Sequence, residues 1–248
     1  MEVWNSHFRS RGRQALGGLL AALACALPVQ AQLGPPVSID NGGSYNIITN
    51  FDNGAGVGTD DAYIGNANPN NHLMISGAAG WLYNVNLGYI GAAAGSDNNT
   101  VTVAGGGVWD LFSVLLVGDM GAFNNLTIDS GGRVSATSGS YIGNNAGANN
   151  NSVLVTGSGS LFDNNNNNLV IGNVGSSNSM VIDSSAQVLS GDGGFGGGAA
   201  AIGLDAASIN NSVLVSGGNS IWNNSGDLYI GYQGSSNRLT IANGGLVI

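Results

Sequence analysis

The sequence predicts a parallel β-solenoid: an all-β stack of coils, each about 25–31 residues long. Three observations predict it. The first is composition. Glycine supplies 43 of 248 residues and charged residues only 8%, while 43% of the chain is hydrophobic. Apolar material divided this often by turn formers implies many short strands. With four prolines, the chain is neither a proline-rich linker nor collagen-like. The second observation is a beat of apolar-Gly dipeptides, whose glycines are Gly65, Gly91, Gly118, Gly143, Gly172, Gly203 and Gly231. Their steps are 26, 27, 25, 29, 31 and 28 residues, and a period in that range marks a stacked architecture. The third is Asn-x-apolar-x-apolar, once per unit: NHLMI, NTVTV, NNLTI, NSVLV, NSMVI, NSVLV and NRLTI.

The first segment stands outside the fold. Arg9, Arg11 and Arg13 precede the apolar run 15–27, and PVQAQ follows it. A basic region, an apolar core of 13 residues and a small-residue exit read as a secretory signal over 1–31, cleaved after Ala31 with Val29 and Ala31 as the recognised pair. The apolar run is too short to span about 30 Å of hydrocarbon. Cys25, the sole cysteine, lies within it, so the mature chain forms no disulfide. A lipid-attachment cysteine fits poorly: Ala22 stands where leucine belongs, and apolar residues continue past the cysteine. Residues 32–36 are a linker.

Loss of 1–31 removes Glu2 and the three arginines, leaving 13 aspartates against Arg133 and Arg238, a net charge of 2 − 13 = −11. The chain has no lysine. Nucleic acid and anionic lipid are therefore excluded as partners, since both need basic residues to neutralise phosphate.

The solenoid domain is expected over 37–248, its first half-unit being VSIDNGGSY (37–45). The separation from anchor glycine to ladder asparagine runs 6, 8, 6, 8, 6, 8, 6, so the true repeat is a pair of coils. Short-gap units continue as IDSGGRV, IDSSAQV and IANGGLV. Long-gap units continue as VAGGGVW, VTGSGSLF and VSGGNSIW, which places Trp109, Phe162 and Trp222 at related positions. Within NRLTI, strand alternation puts Asn237, Leu239 and Ile241 on one face and Arg238 and Thr240 on the other. Stacked about 4.8 Å apart, the inward aliphatics form columns and the asparagines a hydrogen-bonded ladder. The glycines supply corners with φ > 0. GDGGFGGGAAA (191–201) lengthens one unit and is expected to be its mobile loop. LYNVNLGYIG and LFSVLLVG hold more apolar residues than a one-faced strand requires, which reads as core filling rather than a docking flank.

These units resemble the two-coil repeat of bacterial autotransporter passengers and of secreted proteins with a PEP-CTERM sorting tail, approximately G-S-x-W-x-N-S-G-D-L-Y-V-G-x-x-G-x-G-x-L-T-I-x-x-G-G-x-V. The closest copy is GNSIWNNSGDLYIGYQGSSNRLTIANGGLV, Gly218 to Val247. In the copy GSGSLFDNNNNNLVIGNVGSSNSMVIDSSAQV, Phe162 replaces the tryptophan and NNNNN the turn. The resemblance covers nearly all of 37–248 and is looser before residue 100. It implies a right-handed parallel β-helix exported to the surface of a Gram-negative bacterium, and it implies no reaction. Asp227 and Arg238 then fall at positions the repeat varies or uses for turns.

The residues themselves offer no catalytic constellation. His72, the one histidine of the mature chain, occupies an outward slot with no cysteine or second histidine to join it. There is no G-x-S-x-G elbow, and no P-loop without lysine. GAGVG (54–58) is a turn. Asp52, Asn53 and Asp60, with Asp61 alongside, could curl around calcium, but they lack EF-hand spacing and read as an acidic loop. A pectate-lyase-like site would need a base beside its acids, and Arg133 and Arg238 each lie in their own repeat. No catalytic, cofactor-binding or metal residue is assigned.

The expected function is a non-catalytic exported surface β-helix, an autotransporter-passenger-like scaffold or an adhesion or matrix component, whose partners would be surface glycans or proteins. The alternative is a carbohydrate-binding or carbohydrate-cleaving β-helix, which would need a lateral groove of acids and aromatics. Ile248 follows GGLV directly, with no polar cap, barrel or sorting tail. The chain is thus expected to be part of a longer exported protein with a downstream translocator barrel or sorting tail, and to self-associate through its open C-terminal coil.

Overall fold

A computed structural model describes residues 37–47, 50–53, 61–84, 86–191 and 199–248, all within one compact unit. It is an all-β solenoid. Among the described residues, 24 strands of two to five residues form three parallel sheets of eight, and every third strand in sequence joins the same sheet. One turn of chain contributes one strand to each sheet, beginning with Val37–Ile39, Ser44–Ile47 and Asn50–Asn53 and ending with Leu228–Ile230, Arg238–Ala242 and Leu246–Val247. Strands this short bury little alone. Parallel pairing above and below lets the inward side chains merge into one core.

The expected parity holds. In the second sheet Leu73, Val101, Leu126, Val153 and Met180 form one inward column and Ile75, Val103, Ile128, Val155 and Ile182 the next, all buried. In the last turn Leu239 is only partly buried and Ile241 is 52% exposed, because that strand is paired on one side alone.

The two sequence beats interlock. Each anchor glycine has φ between 72° and 80°. At Gly65, Gly91, Gly118, Gly143, Gly172 and Gly203 a Cβ would overlap the side chain of the ladder asparagine one turn later. Positive φ and close approach both demand glycine there. The residue before each ladder asparagine, from Asn70 to Ser236, is also left-handed, with φ of 56–62°. Four of these seven are asparagine, the side chain that best tolerates that conformation.

The ladder itself is continuous. Asn71 donates from both N and Nδ2 to Oδ1 of Asn99, at 2.9 and 2.8 Å. The same pair of bonds links Asn99 to Asn124, Asn124 to Asn151, Asn151 to Asn178, Asn178 to Asn211 and Asn211 to Asn237, at 2.8–3.2 Å. The first six asparagines are at most 1% exposed. Buried amides are costly unless satisfied. Here each satisfies the next.

The register supplies the physical reason for a two-coil repeat. In the third sheet one inward column reads Leu82, Trp109, Val134, Phe162, Val188, Trp222, Val247, alternating ring and aliphatic. In the first sheet the matching column reads Ala62, Gly88, Leu115, Ser140, Leu169, Ala200, Leu228. From Gly88 onward, each coil with an aromatic has a small residue opposite, and each coil with a valine has a leucine. A Cβ on Gly88 would sit 3.0 Å from Trp109 Cζ2. Volume is thus conserved coil by coil, as close packing requires. The gap alternation has a related cause. The longer corners bring the carbonyls of Ser96, Ala148 and Ser208 against Gly121, Gly175 and Gly234 of the following short corners, where no Cβ fits.

Candidate functional site

Inside the solenoid the polar groups are structural, so chemistry must be sought on the outer faces. A cluster of rings and charged side chains lies outside the third sheet, on the strands Trp81–Asn84, Val108–Leu111, Arg133–Ala136 and Leu161–Asp163. Their outward residues are those that alternate with the inward column just described. One outward row reads Tyr83, Asp110, Ser135, Asp163, and the row beside it Trp81, Val108, Arg133, Leu161. Phe112 extends the face by one residue.

Three rings form a series. Trp81 meets Tyr83 edge-on at 6.2 Å between centroids, and Tyr83 meets Phe112 edge-on at 5.5 Å. Trp81 is 39% and Phe112 58% exposed. The Trp81 indole N–H donates to Asp110 Oδ2 at 3.0 Å. Burial raises the Asp110 carboxyl above its ordinary value. The Trp81 hydrogen bond and the Arg133 charge oppose that shift, while the Asp163 charge adds to it. Arg133 Nη2 donates to Asp163 Oδ2 at 3.1 Å. As a half-exposed surface pair, that bridge contributes at most about 1 kcal/mol. Its effect is to fix a guanidinium beside the acids.

This corrects one reading of the sequence. Arg133 does lie in its own repeat, but the register sets it beside Asp163 of the next turn and within electrostatic reach of Asp110 of the previous one. Writing the coils one beneath another in register would have shown the row. The apolar excess of LFSVLLVG predicts a core position for Phe112, and the structure differs. Of that stretch Leu111, Leu115 and Val117 are indeed buried, but Phe112 points outward.

The other sequence candidates disperse. His72 Nδ1 lies 2.6 Å from Thr100 Oγ1, in an outward column with Ser44 and Thr100. No group of three metal-ligating side chains occurs among the described residues. Asp60, the turn 54–58 and residues 192–198 of the glycine-rich loop lie outside the described residues, and of Asp52 only the backbone, in a third-sheet strand, is described. Asp61 accepts from Tyr63 Oη at 2.7 Å and from the Leu87 N–H at 3.1 Å. Burial first, and that hydrogen bond second, push the Tyr63 hydroxyl well above its usual range. Tyr63 in turn stacks on Tyr89 at 4.8 Å, outside the first sheet. Asp227 accepts from Tyr229 Oη at 2.9 Å, and Arg238 is exposed on the last strand of the second sheet.

Chemically, the third-sheet face offers apolar ring surface beside fixed anionic acceptors and one cationic donor. Asp110 and Asp163 are two strand spacings apart, roughly 10 Å between backbones at ~4.8 Å per step. No family model, curated protein or solved structure matches the chain.

Proposed function

We propose that the chain is a non-catalytic exported surface solenoid, a scaffold or adhesion component of the autotransporter-passenger kind. One observation carries the reading. The invariant polar residues of the repeat, the ladder asparagines, are spent on holding one coil to the next, while the inward columns change only in compensating pairs and the outward rows are left free to differ. A molecule organised this way makes surface by addition of turns. The acids of the third-sheet face support the same reading, because Asp110 is held by Trp81 and Asp163 by Arg133.

The test is export. Expressed in a Gram-negative host, the full chain should leave the cytoplasm and yield a mature N-terminus at Gln32. Replacing Arg9, Arg11 and Arg13 with glutamate should retain it inside, unprocessed. A wild-type chain that stays cytoplasmic and uncleaved would refute the proposal.

A further inference from the structure

We propose that the outer face of the third sheet around Trp81, Tyr83, Asp110 and Phe112 binds a neutral polysaccharide. This goes beyond the scaffold reading, since a scaffold needs no ligand of its own.

Three features select that chemistry. The rings cross edge-to-face, so they do not stack on one another, and Trp81 and Phe112 keep much of their surface open to solvent. Ring faces carry negative potential, which suits the weakly positive C–H faces of pyranose rings. Beside them stands a carboxylate that accepts from the indole N–H, using one of roughly four acceptor positions. Hydroxyl donors from a sugar seated on the rings meet that acceptor as a charge-assisted bond. Polar groups then continue down the stack as Ser135, Arg133 and Asp163, one strand spacing of ~4.8 Å at a time. A polymer of sugar units laid along the stack would meet rings first and hydrogen-bonding groups next.

Charge decides which polysaccharide. The chain carries a formal charge of −9, and two carboxylates lie in this face against one guanidinium. A uronate polymer would be repelled. A neutral glycan brings donors and no charge.

The experiment is native affinity electrophoresis of the purified full chain through gels holding hydroxyethylcellulose, mixed-linkage β-glucan, galactan or polygalacturonate. At least one neutral polymer should retard the protein, and polygalacturonate should not. Trp81→Ala and Phe112→Ala should each weaken the retardation tenfold or more with little change in urea midpoint, and Asp110→Asn several-fold without loss of the folded state. Tyr232→Ala removes an exposed ring outside the cluster and should change nothing. Wild-type mobility unaffected by every neutral polymer overturns the proposal. So does equal retardation of Trp81→Ala and wild type, stronger retardation by polygalacturonate, or slow migration in plain gel that Trp81→Ala abolishes, which would make the face a contact between copies. The assay uses purified protein, so its outcome is independent of export.

Discussion

Ser140 shows how little tolerance the interior has. Its side chain is wholly buried in the first-sheet column, and its hydroxyl has no partner. The equivalent positions of the other aromatic coils, Gly88 and Ala200, carry no hydroxyl. An unsatisfied buried hydroxyl costs about 1–3 kcal/mol. Ser140→Ala should therefore raise stability by about 1 kcal/mol, read as a higher urea midpoint at unchanged slope; a lower midpoint would mean that the hydroxyl is satisfied after all. Parity gives a sharper contrast one sheet away. Ile128 is fully buried, while its neighbour Thr127 faces outward and is partly exposed. Ile128→Asp buries an unpaired charge and should cost several kcal/mol, against less than about 1 for Thr127→Asp. Equal denaturation midpoints for the two would overturn the assignment of faces. Asp110 adds a pH dependence. Its carboxyl is raised in the fold, so the folded state holds its proton more tightly than the unfolded state. Stability from this group should fall as pH rises from the unfolded value, near 3.9, through the raised one. Asp110→Asn should remove that slope from a titration of thermal midpoints.

At the scale of strands and corners, the aromatic column states its own rule. Trp109 Nε1 donates to Asn84 Oδ1 and Trp222 Nε1 to Ser190 Oγ, both at 2.8 Å. Asn84 and Ser190 each sit two residues beyond the inward aliphatic of the preceding turn. The same place before Phe162 holds Ala136, which is fully buried. Indole finds an acceptor, and phenyl finds a methyl. Phe162→Trp alone should destabilise, and Ala136→Ser should recover part of that loss. A double-mutant cycle should give a coupling of about 1–2 kcal/mol, and additive effects would contradict the rule. Much of this scale was legible in the sequence. The anchor glycines, the asparagine beat, the alternating gap and the related positions of Trp109, Phe162 and Trp222 are all periodic, and periodicity survives without coordinates. What was not legible is which column faces which. Gly88 against Trp109 and Gly121 against the Ser96 carbonyl join different strands or different turns, and linear spacing records neither. The ring cluster escaped for the opposite reason. Outward residues have no period, and Arg133 and Asp163 are 30 residues apart in the chain.

For the molecule as a whole, volume compensation makes its length come in even steps. Deleting residues 119–172 removes two turns and joins Gly118 to Asn173. Leu115 then shares a coil with Val188, between the Trp109 and Trp222 coils, and Ser190 still precedes Trp222. Deleting 119–143 removes one turn and puts Leu115 in a coil with Phe162, directly after the Trp109 coil, with two long corners in succession. Overpacking of that kind costs typically about 1–3 kcal/mol. The two-turn deletion should therefore melt cooperatively at a midpoint above that of the one-turn deletion, although it discards more of the core. The reverse order in a thermal scan would show that the coils are interchangeable one at a time.

The amide ladder also gives the stack a polarity. Every rung from Asn71 to Asn211 turns its nitrogen toward the following turn and its oxygen toward the preceding one. Six side-chain dipoles therefore lie head to tail along the stack, with their positive ends toward the C-terminal turns. Each polarises its neighbours, so bonds in the run strengthen one another. Losing an amide from the middle, at Asn124 or Asn151, divides the run in two. Losing Asn71 shortens it from one end. In that sense the row behaves as a single oriented electrical element rather than as six separate contacts.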